Sequence, residues 1–334
     1  MKIISSAPVR IDFNGGGTDV NPFARNYGGA VVNATVSRGY KVKLEPREDN
    51  KIHVIDKEER LFDLKRKLPY GKDPYFDLVR AVLNYFRKEI EAGFNLIIHS
   101  DIQNSTGLGS SASFTVALLG ALTIFLKRSL GKDAIARLAF ELETEELGLV
   151  GGKQDQWCAV YGGLNLMEFG PGEEVSVYPI KVSSNTYQKL QDWLIVFYTG
   201  GKRNSSDFQK HLQKSMKQKD RLNTFQKMKE LAYDTRDCLE RGNIEDAGHL
   251  IDIGWEEKKR SNPIITNAKI DALYSSAKMC GALGGQLAGA GQVGYFFFIC
   301  PPQRQTEVQI TLEKHGAKEV DFKLSSEGLK VRTE

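Results

Sequence analysis

The chain has few cysteines, no long hydrophobic run and almost no excess of charge of either sign. The four cysteines among 334 residues are Cys158, Cys238, Cys280 and Cys300. They lie too far apart for a CxxC redox pair or a cysteine-rich zinc site, and they argue against a disulfide framework, so we expect a cytoplasmic protein. The most apolar short run, residues 295–300, is far shorter than the ~20 residues of a membrane-spanning helix.

Charge does not indicate a polyanionic partner either. The 46 basic and 42 acidic residues leave a net charge of +4, which is too small a surplus over this length to favour nucleic acid or a membrane surface. A composition of 41% hydrophobic and 26% charged residues is typical of a globular protein. At roughly 100 to 200 residues per domain, we expect two domains, residues 1–185 and 186–334, divided at the polar stretch 183–185.

The distribution of residue types predicts a mixed α+β protein. Residues 1–60 are rich in β-branched and aromatic residues between glycines and prolines, which is typical of short strands and turns. Asp73 before a proline predicts a helix start, with the helix running to about residue 91. Asp133 is expected to cap another helix, which Gly148 ends. In the second half, a strand at 193–198 and a long helical region at 205–241 precede shorter helices and glycine-rich strands.

Three glycine-rich segments, residues 14–19, 107–112 and 289–294, could each bring backbone amides to an anion. The second is the strongest candidate because a predicted strand precedes it and a predicted helix follows it, so its amides and the helix dipole would converge on a phosphate. The hydroxyl of Ser110 or Ser111 could bind the Mg²⁺ of a nucleotide triphosphate. The simpler alternative is a tight turn with a serine N-cap.

Two of these segments also fit the glycine spacing of a dinucleotide-binding loop, which makes a dehydrogenase an alternative. The segment at 107 lacks the second strand and the acidic residue expected about 20 positions later. The segment at 289–294 runs into a predicted strand rather than a helix. A Walker A loop is absent because Lys153 is followed by Gln154, where a serine or threonine would be required.

Together the three segments resemble the three motifs of the GHMP kinase superfamily, which includes galactokinase, homoserine kinase and mevalonate kinase. Residues 7–19 (APVRIDFNGGGTD) and 151–156 (GGKQDQ) most resemble the D-glycero-D-manno-heptose 7-phosphate kinase branch, which phosphorylates an anomeric hydroxyl. The resemblance spans nearly the whole chain. It implies a two-domain α+β fold, with an N-terminal mixed α/β nucleotide-binding domain and a C-terminal ferredoxin-like domain.

The resemblance also implies how ATP and Mg²⁺ are bound. The residues expected to wrap the ATP phosphates are Gly107, Leu108, Gly109, Ser110, Ser111 and Ala112. The implied Mg²⁺ ligands are Ser111 and Glu143. Helical periodicity instead puts Glu146 on the apolar stripe of its helix, so either glutamate could point inward, and a solvated acidic face is the structural alternative.

For catalysis, the resemblance implies that Asp155 accepts the proton of the sugar hydroxyl or orients it for in-line attack. Phosphoryl transfer depends mainly on positioning and charge neutralisation, so a carboxylate and a metal ion suffice. Lys153 is expected either to keep Asp155 ionised or to contact the transferring phosphate, or else to be a surface lysine. Arg10 lies on an apolar strand, where an arginine is seldom buried unpaired, so it should bind Asp155, another acid or an anionic substrate group.

Acceptor binding is assigned to Asp19, which would hydrogen-bond sugar hydroxyls, and to the glycine-rich segments around it. The other expected substrate-binding residues are Gly16, Gly17, Thr18, Gly151, Gly152, Gln154, Gly289, Ala290 and Gly291. A phosphorylated sugar would need a second cationic pocket, because a phosphate favours paired Arg or Lys donors. The candidates for that pocket are Lys202, Arg203 and Arg38.

These observations predict an ATP-dependent sugar kinase that uses Mg²⁺ and acts on a small-molecule sugar or sugar phosphate. The expected acceptor is D-glycero-D-manno-heptose 7-phosphate, and the alternative is a non-phosphorylated sugar such as L-fucose. A dehydrogenase and a non-catalytic GHMP-fold binding protein are the more distant alternatives. No nucleic-acid or membrane partner is expected, and a homodimer is compatible with the sequence.

Overall fold

A computed structural model describes residues 2–56, 58–71, 73–102, 107–201, 211–216, 218–289 and 291–334. In these residues the chain forms two β-sheets with helices packed against them, which confirms the predicted mixed α+β class. None of the helices in the described ranges is long and apolar enough to cross a membrane.

The first sheet has eight strands, in the order β12-β1-β2-β5-β3-β4, with β6 and β7 added beside the start of β2. Its strands are β1 (Ile3–Asn14), β2 (Gly29–Pro46), β3 (Ile52–Ile55), β4 (Glu59–Phe62), β5 (Phe94–Ser100), β6 (Leu164–Phe169), β7 (Val175–Pro179) and β12 (Lys330–Thr333). Short strands and turns were expected over residues 1–60, and this was wrong for β1 and β2, which run for 12 and 18 residues. Irregular register between Pro8 and Arg10 lets the pairing of β1 with β2 continue past the proline.

Five helices accompany this sheet: α1 (Phe23–Tyr27), α2 (Pro74–Phe86), α3 (Ser110–Phe125), α4 (Lys132–Glu141) and α5 (Gln154–Tyr161). The side chain of Asp73 caps α2 as predicted, but the helix ends at Phe86 rather than near residue 91. Nearly every residue of α3 after its first turn is buried. This is expected for a helix that is apolar on all sides.

The predicted start of α4 was wrong, whereas Gly148, with a φ of +63°, ends the helical segment as predicted. Gly131 precedes the helix, and Asp133 lies in the first turn, where its carboxylate accepts a hydrogen bond from Nε1 of Trp157 at 3.1 Å. At the other end, a π-helical turn at Leu142–Glu146 follows α4 directly and ends before Gly148. A π turn inserts an additional residue into the helical repeat, so a 3.6-residue periodicity cannot be extended through residues 142–146.

The second sheet is antiparallel, in the order β11-β8-β10-β9. Its strands are β8 (Leu194–Tyr198), β9 (Gly284–Leu287), β10 (Tyr295–Ile299) and β11 (Lys318–Glu319). The helices of this half are α6 (Ser184–Trp193), α7 (Lys219–Glu240), α8 (Ile244–Ser261), α9 (Ala268–Met279) and α10 (Pro302–Lys314). Of the long helix predicted at 205–241, residues 211–215 and α7 are helical, and residues 202–210 lie outside the described ranges.

The two halves are connected by more than the chain between them. The hydroxyl of Ser183 accepts a hydrogen bond from the amide of Thr186 and caps α6, so the predicted boundary near residue 185 falls in the first turn of a helix. Strand β12 returns from the far end of the sequence to pair with β1. Helix α8 packs against β9 and also reaches β1, which brings side chains from both halves to one cavity. The division at residue 185 stays a prediction.

Candidate active site

A cavity lies where β1, the glycine-rich loop after it, the start of α5 and the end of α8 meet. The lining residues are Arg10, Asp12, Gly16, Gly17, Asp19, Val20, Gly152, Gln154, Asp155, Leu212, Lys258, Ser261, Asn262, Ile265 and Gly289. Eight of these were predicted as site residues from the sequence: Arg10, Gly16, Gly17, Asp19, Gly152, Gln154, Asp155 and Gly289. The cavity therefore brings together residues from the first and third glycine-rich segments and from the GGKQDQ segment.

Arg10 holds Asp155 in the cavity wall. Its Nε lies 2.7 Å and its Nη2 2.5 Å from Oδ1 of Asp155, and its Nη1 donates to the carbonyl oxygen of Gly107 at 2.8 Å. The arginine is buried. Burial raises the pKa of the Asp155 carboxyl, although the positive charge of Arg10 opposes this shift. One buried guanidinium thus connects the carboxylate to the loop at residue 107.

Asp19 is fixed by hydrogen bonds from two backbone amides. Its Oδ1 accepts from the amide of Gly17 at 3.0 Å, and its Oδ2 accepts from the amide of Gln154 at 3.1 Å. Burial raises the pKa of Asp19, and the nearby charge of Asp155 raises it further. A Cβ on Gly152 would lie 1.9 Å from Oδ2 of Asp19. Glycine at position 152 is therefore what allows the carboxylate to reach the start of α5.

The loop at 107–111 leads into α3 as expected for a phosphate-binding turn. Gly109 has a φ of +74° and precedes the helix, which begins at Ser110. The first amides of any helix lack an acceptor within it and carry the positive end of the helix dipole. Leu108 and Ala112 are buried, and they anchor the loop in the core. The amides at the start of α3 can therefore bind an anion.

Ser111 and Glu143 face each other across this helix start. The Ser111 hydroxyl donates to Oε2 of Glu143 at 3.0 Å, while Oε1 of Glu143 is buried without a hydrogen-bond partner. Burial raises the pKa of Glu143 to about 7, although the hydrogen bond from Ser111 opposes the shift. Glu146 instead contacts Lys67 and Tyr70. Of the two glutamates that the sequence left open, Glu143 is the one beside Ser111.

The hydroxyl of Ser111 and the carboxylate of Glu143 fit a magnesium ion that also binds a nucleotide. Mg²⁺ prefers oxygen ligands and takes most of them from water and phosphates. A buried carboxylate oxygen without a partner is an unsatisfied group that a cation would satisfy. In the described ranges, no three His, Cys, Asp or Glu side chains cluster as a metal site. The protein would thus supply few ligands, and the rest would come from phosphates and water.

The sequence analysis missed the buried pair of Asp12 and Lys258. Nζ of Lys258 lies 3.2 Å from Oδ2 of Asp12 and 3.1 Å from Oε1 of Gln286. Oδ1 of Asp12 is buried without a hydrogen-bond partner and lies 4.0 Å from Nη1 of Arg10. Helical periodicity could have predicted that Lys258 is buried. Ile251 and Lys258 are seven residues apart on α8, so they share its buried face.

Several predicted site residues lie elsewhere. Lys153 does not contact Asp155: it precedes α5 and its ammonium is paired with Glu173. Arg38 donates to the carbonyl oxygens of Asp321 and Asp101 and does not line this cavity, so its part in a second phosphate pocket stays a prediction.

Some of the small predicted residues support the cavity without lining it. The Thr18 hydroxyl is hydrogen-bonded within the loop to the backbone of Gly15 and Ala30, so it is not directed at a substrate. Gly151 lines a neighbouring cleft instead. Lys202, Arg203 and Ala290 lie outside the described residues.

The third glycine motif packs on the second glycine loop and on Ile265. A Cβ on Gly289 would lie 2.5 Å from Cα of Gly107, and Gly289 has a φ of +67°. Gly291 approaches Ile265 equally closely, and Ile265 lines the cavity. The chain after Gly294 enters β10 rather than a helix. This excludes the dinucleotide-binding reading of residues 289–294, since that loop needs a helix N-terminus for the pyrophosphate.

Comparison with known proteins adds an independent line of evidence. Residues 77–163 match the family described as GHMP kinases N terminal domain. The chain is 30% identical over 335 residues to D-glycero-alpha-D-manno-heptose 7-phosphate kinase of Campylobacter jejuni, with 99% of each protein covered. It is 27% identical to L-fucokinase/L-fucose-1-P guanylyltransferase of Bacteroides fragilis, covering 97% of this chain and 38% of that protein.

A solved structure agrees with this relationship. The crystal structure of a D-glycero-D-manno-heptose 1-phosphate kinase from Bacteriodes thetaiotaomicron matches with a TM-score of 0.80 and 26% identity, over 99% of each chain. The chain belongs to the GHMP kinase family. The predicted fold class and the predicted class of enzyme, an ATP-dependent sugar kinase, are confirmed.

Proposed function

We propose that the protein transfers the γ-phosphate of ATP to the anomeric hydroxyl of a sugar phosphate, with D-glycero-D-manno-heptose 7-phosphate as the acceptor and the 1,7-bisphosphate as the product. The observation that carries this proposal is the contact between the buried Arg10 and Asp155 in a cavity that also contains Asp19. The relative from Campylobacter jejuni, named as a kinase of that sugar phosphate, supports the choice of acceptor.

Asp155 acts as the proton acceptor or orienting group for the attacking hydroxyl. A carboxylate whose pKa is raised by burial is a better base for a hydroxyl than a fully solvated one. Arg10 keeps Oδ1 of Asp155 fixed through Nε and Nη2, which leaves Oδ2 as the oxygen that faces the acceptor. Because the same guanidinium contacts Gly107, the base and the nucleotide loop keep a fixed spacing.

The amides at the start of α3 bind the phosphates of ATP, and Ser111 and Glu143 hold Mg²⁺. The metal ion supplies charge neutralisation on the transferring phosphoryl group, which is the main requirement of this chemistry. Ser111 and Glu143 are already in contact at 3.0 Å, so little rearrangement is needed to bind the ion. Lys258 adds a positive charge to the cavity wall, where negative charge gathers during transfer.

The acceptor hydroxyls bind Asp19, Asp12 and the neighbouring backbone. Asp19 already accepts two amide hydrogen bonds, so its carboxylate is oriented before a substrate arrives. Oδ1 of Asp12 is buried without a partner and can accept a hydrogen bond from a sugar hydroxyl. Preorganised acceptors of this kind reject analogues that lack the matching hydroxyl.

The second candidate is a kinase of a non-phosphorylated sugar such as L-fucose. The relative from Bacteroides fragilis, whose name includes L-fucokinase, favours this alternative. The two candidates share every residue assigned above to the reaction and differ in the acceptor, which is a phosphorylated heptose in one and a non-phosphorylated sugar in the other. The proposal also includes a cytoplasmic location, from the dispersed cysteines, and allows a homodimer.

The test is ADP release from Mg·ATP across a panel of sugars and sugar phosphates that includes D-glycero-D-manno-heptose, its 7-phosphate and L-fucose. We expect turnover with the heptose 7-phosphate, with kcat/KM at least roughly 10²-fold above that for the free heptose, the scale of one well-placed charge pair. Preferred turnover of L-fucose would establish the alternative. Omission of Mg²⁺ in the same assay tests the metal.

A further inference from the structure

A second cleft, of about 460 Å³, adjoins the active-site cavity. The cleft and the active-site cavity share one wall, because residues that are consecutive in the chain line the cleft on one side and the cavity on the other. The residues on the side of the cleft include Asn21, Gly151, Lys153 and Gln213. Their chain neighbours on the side of the active site are Val20, Gly152, Gln154 and Leu212. Since consecutive Cα atoms are 3.8 Å apart, a ligand in one cavity is only a few ångströms from the other.

Three side chains in this cleft converge on one carboxylate, that of Glu173. Arg25 donates from Nε at 2.9 Å and from Nη2 at 2.6 Å to Oε1, and Nδ2 of Asn21 donates to the same oxygen at 3.2 Å. The ammonium of Lys153 contacts Oε2. The Lys153 side chain is only 3% exposed, so its charge is directed into the cleft rather than to bulk water. These donors form a built anion site, which Glu173 fills.

Glu173 reaches this site from a strained position. It lies in the hairpin loop between β6 and β7 with a φ of +66°, a conformation that costs energy for any residue with a Cβ. Burial alone would raise the pKa of Glu173, but the hydrogen bonds from Lys153 and Arg25 outweigh it and lower the pKa to about 2. The carboxylate is therefore an ionised anion held at the end of a surface loop.

The cleft has equal numbers of positive and negative side chains. The cations in its lining are Arg25, Arg137 and Lys153, and the carboxylates are Glu141, Glu145 and Glu173. An additional anion would therefore enter a neutral site unless it replaced a carboxylate. Glu173 is the carboxylate held by both Arg25 and Lys153, and a phosphate dianion would match the two positive charges that Glu173 only half neutralises.

We propose that this cleft binds the second phosphate of the acceptor, and that the phosphate takes the place of Glu173 on Lys153 and Arg25. The inference rests on the proposed function and names the part of the site that recognises a phosphorylated sugar. The wall between the cleft and the active-site cavity is open at Gly151, because a Cβ on this residue would meet no atom within 4 Å. A sugar with its anomeric oxygen at Asp155 can thus extend past Gly151 into the cleft.

The experiment compares Arg25→Gln with Arg304→Gln. Both arginine side chains are 61% exposed and paired with a glutamate, but Arg304 lies on α10, outside the lining of either cavity. For Arg25→Gln we expect KM for the heptose 7-phosphate to rise roughly tenfold or more, the scale of a hydrogen bond to a charged group. Its kcat, and kcat/KM for the free heptose, should stay within about twofold of wild type. Arg304→Gln should change none of these values.

Glu173→Gln provides the opposite test. It removes the competing charge while keeping a hydrogen-bond acceptor, so KM for the heptose 7-phosphate should fall and inorganic phosphate should become a stronger competitive inhibitor against that acceptor. An unchanged KM in Arg25→Gln, or a raised KM in Glu173→Gln, would overturn the subsite. If wild type turns over the sugar phosphate, those results leave the proposed function intact. If it does not, the proposed function itself has failed.

Discussion

Gly109 packs directly against the carboxyl group of Asp155: a Cβ at position 109 would lie 3.0 Å from Cγ of that aspartate. The loop residue that directly precedes α3 and the residue assigned as the base are therefore in contact across 46 positions of sequence. The backbone at Gly109 has a φ of +74°, which glycine adopts at no steric cost. Both the short distance to Asp155 and the positive φ therefore require glycine at position 109.

Gly109→Ala should consequently displace Asp155 and strain the loop. We expect kcat to fall by roughly 10²-fold, the scale of a displacement of about 1 Å at a reacting group, with a smaller loss in the free energy of unfolding. Gly131→Ala is the matched control, because Gly131 also precedes a helix but has a φ of −70° and open space at its Cβ. The measurement is kcat of both variants by steady-state kinetics. Equal kcat values would show that the contact between Gly109 and Asp155 does not affect catalysis.

Asp155→Asn should keep the fold and the binding of ATP while removing the proton acceptor. We expect kcat to fall by roughly 10² to 10⁴-fold, the usual contribution of a positioned base. Equilibrium dialysis with ATP should give a Kd close to that of wild type. Asp192→Asn, at an exposed position on α6, serves as the control. Retention of most of the activity in Asp155→Asn would remove this aspartate from its assigned role.

Lys258→Met should destabilise the protein because it leaves the buried carboxylate of Asp12 without its partner. Breaking a buried ion pair on one side typically costs about 3 to 5 kcal/mol, which denaturant unfolding can measure. The double variant Asp12→Asn with Lys258→Met should recover much of that stability. We expect the double variant to stay poorly active, since both side chains line the active site. Full recovery of activity would make the pair purely structural.

Glu143→Gln should change how stability depends on pH when no divalent metal is present. The raised pKa, about 7, means that the folded wild type binds a proton that the unfolded chain releases near pH 4.5. Its free energy of unfolding therefore decreases as pH rises from about 4.5 to 7. The glutamine variant lacks this titration, so its stability relative to wild type should increase over that interval.

The measurement is chemical denaturation of both proteins in EDTA at pH 5, 6, 7 and 8. Addition of Mg·ADP should stabilise wild type more than Glu143→Gln, because the ionised carboxylate is the proposed metal ligand. A constant stability difference across this pH range would contradict the raised pKa. A metal response that is equal in the two proteins would contradict the role of Glu143 as a ligand.

Local sequence signals predicted most of the elements that position the site. The glycine loop before α3 and the Asp73 cap each depend on residues within a few positions of one another. The motif residues Arg10, Asp19 and Asp155 could be named because their surroundings in sequence were distinctive. The choice between Glu143 and Glu146 could not be made from helical periodicity, because a π turn that no local pattern marked interrupts the 3.6-residue repeat after Glu141.

Interactions between distant segments could not be predicted in the same way. The pairing of Asp12 with Lys258 spans 246 positions, and a single lysine on a helix is far more often solvated than buried. Lys153 was expected to keep Asp155 ionised, to contact the transferring phosphate, or else to be a surface lysine. A residue that precedes a helix points differently from the residues within it, and the structure directs Lys153 to Glu173.

The pairing of β12 with β1 affects how the site is assembled during synthesis. Arg10, Asp12 and Asn14 leave the ribosome long before residues 330–333, which form the outer neighbour of the strand that carries them. At about 5 to 20 residues per second, the ribosome needs roughly 16 to 64 s to make the chain between them. During that interval the outer edge of β1 is exposed to other nascent chains, so a chaperone that covers this edge should increase the yield of active enzyme.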